Sequence, residues 1–501
     1  MAKQHLSYID TALLRLEDPS NPMMITGTMV FKDPVDHERL KATVACRMLG
    51  IKRFQQKVAW PRSIVGNPYW VDDTTFNIDY HVQRAILPPP GDQAVLQDVV
   101  SLLASTPLDL DKPPWQFYLV EEYGEGSALI GRIHHSIGDG MALVHVMLSL
   151  TDSDPDAPLS DGEPEIQASH SQEPLDAFFQ PAIKSYNSTR RKVNTRLGKV
   201  FGLLNDPARR RELRRNGRAA AIELSKIILD GPDPNTAFTG KLGTHKRGAW
   251  SGPVSLDDVK LIRRRLGGTV NDVLLTAMAG GLRRYLDERG EDVDDLSIRA
   301  AVPVNLRPAG KEYKLGNRMG AVFLSLPISI EDPVERLHQL ETRMKGHKRS
   351  MMAPMMFAVL NGLGAAPEGF ANNVINSFGN RASLVMTNVK GPQQRLYMAS
   401  SPLEAMMFWV PSTGPLGVGV SILSYVGEVR LGVITDVNLV PDPAAIINDF
   451  HDEFQSLLAA AQDVEEKVSF KDLSDQVDDA LQKLDEVLED DSAEQGNTTE
   501  E

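Results

Sequence analysis

Apolar and polar positions alternate along the chain in two periods, and these divide it into strands and helices. Residues Met23 to Phe31 form an apolar, β-rich run, and Ala128 to His134 reads as a buried strand. His37 to Met48 reads as a helix, and Gly140 to Leu150 returns to helical spacing with apolar residues on nearly every face. A second block opens with a strand-like Arg247 to Pro253, then predicts helices at Leu256 to Arg265 and Asn271 to Arg289. Further strands are expected at Ile298 to Val304, Ala321 to Leu326, Leu384 to Val389, Gly417 to Tyr425 and Glu428 to Thr435. Both blocks mix α and β in the same manner.

Between the blocks the pattern breaks. Thr151 to Pro174 is rich in Asp, Pro, Ser and Glu and reads as a linker. A helical stretch from about Ala182 to Leu229 follows, with Arg190, Arg191, Arg209, Arg210, Arg211, Arg214, Arg215 and Arg218. It suits a solvated connector or a cationic patch for lipid headgroups or the phosphates of CoA. The chain therefore divides into 1–150, a connector at 151–240, a second block at 241–465, and an acidic tail at 466–501 whose last residues are expected to be disordered.

Composition narrows the classes. At 501 residues, with 42% hydrophobic and 24% charged residues, the chain reads as a globular protein of two domains. A net charge of −14 argues against a nucleic-acid partner. Cys46 is the single cysteine, so no intramolecular disulfide or Cys-rich metal site exists; buried packing is expected for it. The N-terminus lacks a basic region followed by an apolar one, and Met141 to Leu150 and Val273 to Leu282 suit core helices and not membrane spans. These features lead to the expectation of a cytoplasmic protein whose membrane contact is peripheral.

The run His134-His135-Ser136-Ile137-Gly138-Asp139-Gly140 carries the chemistry. It joins a buried strand to an apolar helix, a common place to present a reactive side chain. A hydroxyl is a poor nucleophile until a neutral imidazole takes its proton, and histidine has the proton affinity for that near pH 7. Successive strand residues face opposite ways, so one of the two histidines is expected to be structural; His135 is taken as the base and His134 as its support. The same alternation argues against a shared metal, and no further ligand stands at metal spacing. Asp139 is expected to orient the loop through an ion pair, and Gly140 to allow close approach. No Gly-x-Ser-x-Gly elbow occurs, so an acyl-enzyme is not indicated.

With this run in place, the sequence resembles the bacterial wax ester synthase/diacylglycerol acyltransferases, within the CoA-dependent acyltransferases that carry His-His-x-x-x-Asp-Gly. The resemblance extends over Leu6-Ser7-Tyr8-Ile9-Asp10, Leu16 to Met23, Pro107 to Leu110 with Pro113-Pro114-Trp115, and Asn271-Asp272. It continues through Pro303 to Arg307, Gly316-Asn317, Leu326-Pro327, and Thr387 to Pro392, in the family's order from about residue 6 to 460. Pro114 stands where leucine is commoner, and no Asp-Phe-Gly-Trp-Gly motif is present.

The resemblance implies an α/β fold of two chloramphenicol-acetyltransferase-like domains, each a mixed sheet flanked by helices, joined by a crossover linker. It implies direct transfer of a long acyl chain from acyl-CoA, a substrate, to a fatty alcohol or diacylglycerol, without metal or other cofactor. Association with a membrane or lipid-body surface follows from the insoluble products. Asn271 is then either a helix cap or an amide for the acyl carbonyl or oxyanion, and Arg307 a partner for Asp139. Thr387 and Asn388 either line the site or shape a turn before Gly391-Pro392, and Trp115 is packing. Met351, Met352, Met355, Met356 and Phe357, with Met406, Met407 and Phe408, suit an acyl tunnel or ordinary core. The competing readings are a condensation-type enzyme with a carrier-bound donor and an amine, and a catalytically silent lipid-binding relative.

Overall fold

The computed structural model describes residues 4–61, 67–158, 231–307, 315–347, 352–365, 379–411 and 415–464. The arginine-rich connector, most of the linker, Met351 and the acidic tail, on which expectations were placed, lie outside the described residues.

The strands in the first half are β1 (Gln4–His5), β2 (Met24–Phe31), β3 (Gln56–Ala59), β4 (Tyr69–Asp72), β5 (Val82–Ala85), β6 (Trp115–Tyr123) and β7 (Gly126–His134). The second half supplies β8 (Lys246–Trp250), β9 (Val254–Ser255), β10 (Ile298–Asn305), β11 (Met319–Leu326) and β12 (Leu384–Lys390). It continues with β13 (Tyr397–Met398), β14 (Ser401–Trp409), β15 (Val418–Tyr425) and β16 (Glu428–Asp436). They form two large mixed sheets flanked by helices, with order β13-β14-β2-β7-β6-β5 in one and β11-β10-β12-β15-β16-β8 in the other, where β9 also pairs with β16. A small sheet, β1-β4-β3, stands apart.

Strand β14 is the point at which the expected division fails to follow the sheets. It lies in the second half of the chain, yet pairs antiparallel with β2, from Leu403 opposite Phe31 to Trp409 opposite Thr26. The range 241–465 therefore completes the sheet of the first half. The exchange generates a third apolar core between the two main ones. There Val100, Ile130 and Leu96 meet Trp250, Val389, Met407, Trp409 and Leu423. The helix Gln93–Ser105 reinforces this seam, since Ser101 Oγ accepts from Gly248 N–H at 2.9 Å and Ser105 Oγ from Lys246 N–H at 2.8 Å.

Local chemistry explains the helices that flank the site. Ser7 and Asp10 cap the helix Tyr8–Leu16 reciprocally, each side chain accepting from the other's backbone. Thr269 and Asp272 do the same for Val270–Asp287. The helix expected over 37–48 is α only as far as Thr43 and continues as a π-helical turn, Val44–Met48. That turn leaves Cys46 half-buried instead of packed in the core. Trp115 is fully buried, with its indole N–H donated to Phe54 O at 2.8 Å, and is packing as expected.

Candidate active site

Strand β7 ends at His134, a turn closed by Ile137 N–H to His134 O at 3.0 Å follows, and Asp139 caps the helix Gly140–Ser149 by accepting from Ala142 N–H at 3.1 Å. The two histidines consequently have different surroundings. His134 is wholly buried; its Nδ1 accepts from Ser136 N–H at 3.1 Å and lies 2.7 Å from Ser136 Oγ. Its Nε2 lies 3.4 Å from Glu17 Oε2, outside hydrogen-bond geometry. These contacts fix the turn.

The ring of His135 instead faces the second half of the chain. Its Nδ1 lies 2.9 Å from Oδ1 of Asn317, whose own orientation is determined by two acceptors. Asn317 Nδ2 donates to the carbonyl of His135 at 2.6 Å and to Asp10 Oδ1 at 2.9 Å. With the nitrogen of the amide so engaged, its oxygen faces the imidazole and must accept, so Nδ1 carries the hydrogen and Nε2 keeps its lone pair. Burial holds the imidazolium below its usual pKa, partly offset by the charge of Asp139. A neutral ring is the result.

Asp139 makes no hydrogen bond to either histidine. Its Oδ2 pairs with Arg307 Nη1 and accepts from Arg318 N–H at 3.0 Å. The partner expected for Asp139 is therefore Arg307, and the pair is buried on both sides, at 4% and 5% side-chain exposure. Arg307 Nη2 donates to the carbonyl of Gly316. Gly316 N–H in turn donates to Ile137 O at 3.2 Å, clamping the loop before β11 onto the histidine turn. The close approach lies at Gly138, where an added Cβ would be 3.3 Å from Ala142 Cβ and 3.4 Å from Leu315 Cδ2. Gly316 has φ +100°, a conformation that favours glycine.

Gly140 does something else. An added Cβ there would meet open space, and Gly140 lines an apolar cavity of about 100 Å³. Its floor is the paired glycines Gly27 and Gly131, its roof Leu143 and Met147, and its far side Met406 and Phe408 of β14. Gly391 and Pro392 border it, whereas Thr387 and Asn388 do not. Both of those lie in β12, so no turn is formed there, and successive residues face opposite sides of the sheet. Asn388 Nδ2 donates to Asn271 Oδ1 at 2.9 Å, within the second half. Asn271 is the second residue of its helix and not the cap, which is Thr269. Met352 and Phe357 pack against the core of the second half, so among the described residues of the two methionine sets those of β14 alone border the cavity.

The match to known proteins follows these same segments. A family model described as the wax ester synthase/diacylglycerol acyltransferase catalytic domain matches residues 6–274, and one for the WS/DGAT C-terminal domain matches 315–458. The chain belongs to the wax ester synthase/diacylglycerol acyltransferase family. It is an acyltransferase. Among curated relatives it is 26% identical over 466 residues to "Probable diacyglycerol O-acyltransferase tgs1" of Mycobacterium tuberculosis, covering 91% of this chain and 96% of that one. It is 27% identical over 450 residues to tgs2 of the same organism, covering 86% and 94%. The fold matches the wax ester synthase/diacylglycerol acyltransferase of Marinobacter aquaeolei VT8 at TM-score 0.64 and 21% identity, over 92% of this chain and all of that one. The first condensation domain of the calcium-dependent antibiotic synthetase matches at TM-score 0.57 and 14% identity, over 92% and 96%.

Two residues of this family member's site had no assigned role in the sequence reading: Asn317 and Asp10. Each stands in a block of the resemblance, Gly316-Asn317 and Leu6 to Asp10, but 307 positions separate them and only the fold joins them.

Proposed function

We propose that this acyltransferase moves a long acyl chain from acyl-CoA to the hydroxyl of a fatty alcohol or a diacylglycerol, with Nε2 of His135 as the general base. The observation that carries the reading is the Nδ1 contact of His135 to Asn317 Oδ1, at 2.9 Å, which reserves Nε2 for proton transfer. In this reading the hydroxyl proton passes to Nε2 as the oxygen attacks the thioester carbonyl carbon. The tetrahedral intermediate then collapses, the C–S bond breaks, and the leaving CoA sulfur takes the proton from Nε2. Atoms balance, and no enzyme side chain is acylated.

The apolar cavity that begins at Gly140 supports an alkyl occupant, because burying methylenes there removes them from water at about 0.8 kcal/mol each. Asp139 and Arg307 keep the catalytic loop docked on the second half and stay out of the proton path. Among the described residues no helix is long and apolar enough to cross a membrane. The insolubility of both acceptors supports peripheral work at a membrane or lipid-body surface.

The test is CoA release from palmitoyl-CoA, followed by thiol titration, with hexadecanol or dipalmitoylglycerol added. Acceptor-dependent release that yields ester is expected with one or both. Release that no hydroxyl acceptor stimulates, or an amine as the sole productive acceptor, overturns the reading.

A further inference from the structure

An asparagine amide has two nearly isosteric orientations, and only one leaves His135 a base. With Oδ1 toward the ring, Nδ1 holds the hydrogen and Nε2 the lone pair. With the amide turned over, Nδ2 would face Nδ1, the ring hydrogen would move to Nε2, and that nitrogen would have nothing to offer a hydroxyl. The group that selects the orientation is thus part of the catalyst. Two acceptors select it: the carbonyl oxygen of His135 and Oδ1 of Asp10. Both are acceptors that the turned amide would meet with its oxygen. Only Asp10 can carry a full charge, and a charge-assisted hydrogen bond is about twice as strong as a neutral one.

We propose that Asp10 is a positioning residue of the acyl transfer, acting through Asn317 to hold His135 in the tautomer with a free Nε2. The inference rests on the reading of His135 as the base. Its first support is that Asp10 is fixed independently of the relay. It sits in the first turn of Tyr8–Leu16, where its Oδ2 accepts from Ser7 N–H at 3.3 Å and its own N–H donates to Ser7 Oγ at 3.1 Å. The carboxylate therefore cannot swing away from Asn317 without giving up a helix cap. Its second support is the electrostatic setting.

Asp10, Asn317, Arg53, Arg307 and Arg318 border one cavity of about 370 Å³, with Trp70 and Ile137 among its walls. Arg307 is spent on Asp139, while the Arg53 guanidinium lies over the Trp70 ring at 4.1 Å and favours the ionised form of Asp10 by its charge. Burial works in the opposite direction and, with the larger effect, raises the Asp10 carboxyl above its ordinary value. Acid consequently protonates Asp10 sooner than an ordinary aspartate. A protonated carboxyl offers an O–H where Asn317 needs an acceptor, so this ionisation adds to the acid limb of the rate profile together with that of His135.

The experiment compares Asp10→Leu, Asp10→Asn and Ser7→Ala in the full chain labelled with 15N-histidine. The tautomer of His135 is read from its ring nitrogen shifts, assigned by their absence in His135→Gln. The wild type is expected to show hydrogen on Nδ1. Asp10→Leu is expected to populate the Nε2–H form and to lower kcat by roughly 10²-fold, with KM for palmitoyl-CoA little changed. Asp10→Asn, which retains an oxygen for Asn317, falls between, and it carries the test if the leucine variant does not fold. Ser7→Ala removes a cap but keeps the relay, so it is expected to lower stability without changing the tautomer. If Asp10→Leu and Asp10→Asn both keep hydrogen on Nδ1, or if Ser7→Ala shifts the tautomer as they do, the inference is overturned. Failure of the base itself shows separately, as normal turnover in His135→Gln.

Discussion

Nδ1 of His135 and Oδ1 of Asn317 lie 2.9 Å apart across 182 positions of sequence, so the two halves of the chain meet at the imidazole proposed as the base. Replacing Asn317 with leucine removes the acceptor that keeps the hydrogen on Nδ1. Turnover is expected to fall by roughly 10²- to 10⁴-fold, the range a general base contributes. Single-turnover rates with saturating palmitoyl-CoA, alongside a circular dichroism melt to verify folding, check this; turnover within threefold of wild type would contradict it.

The pH profile has a definite sign. A general base works unprotonated, so the rate falls as pH drops through the pKa of His135. Burial holds that pKa below the ordinary histidine value of about 6.5. The wild-type plateau should therefore run from alkaline pH down past 6.5 before the acid limb begins. A profile of kcat/KM against pH decides it, and an acid limb centred above 7 would be inconsistent with a buried neutral ring.

Asp139 and Arg307 form a buried ion pair between the two halves. Removing one partner leaves the other charge without compensation, at a cost of about 3–5 kcal/mol. Asp139→Ala and Arg307→Met are each expected to lose stability in this range. The double variant should lose less than the sum, because neither charge is then stranded. Denaturant unfolding of the four proteins measures the coupling, and strict additivity would show that the pair contributes none.

Gly140 offers a test of the cavity. Its added Cβ meets nothing and Gly140 borders the cavity, so Gly140→Leu is expected to fold and to narrow the apolar space. Palmitoyl-CoA should lose about tenfold or more relative to octanoyl-CoA, consistent with 1–3 kcal/mol per misfitted methylene group. Equal losses on the two donors would mean that the cavity does not hold the donor chain.

Asp449 provides a stability prediction remote from the chemistry. It is buried, its Oδ2 has no hydrogen-bond partner among the described residues, and burial raises its pKa to about 6. The folded state keeps this proton to higher pH than the unfolded state does, so stability is lost between the ordinary aspartate value and about 6 and stays lost above. Asp449→Asn is expected to gain about 1–2 kcal/mol at pH 8 and nothing near pH 3, after allowance for partial solvent screening. Melting temperatures at the two values test the sign.

Much of this was legible in the sequence. Period and apolarity located β2, β7 and most strands of the second half to within a residue or two, since each buries at least one face. The histidine run was legible because it joins a buried strand to an apolar helix. Strand β14 was not recognised: its Met406, Met407 and Phe408 read equally as core or tunnel, and sequence does not tell which sheet a strand will join. Asn317 and Asp10 escaped for a related reason. Asn317 follows a glycine in a loop and Asp10 sits in a capping box, so local rules already account for both residue types. Their second role depends on a contact of long sequence separation that only the folded chain creates.

The most direct measurement is acceptor-dependent ester formation by His135→Gln, a side chain of similar volume with no proton affinity at neutral pH, against wild type under single-turnover conditions. A loss of about 10²- to 10⁴-fold, with palmitoyl-CoA still bound at wild-type affinity, is the predicted result. Ester formation within threefold of wild type would contradict the assignment of His135 as the base.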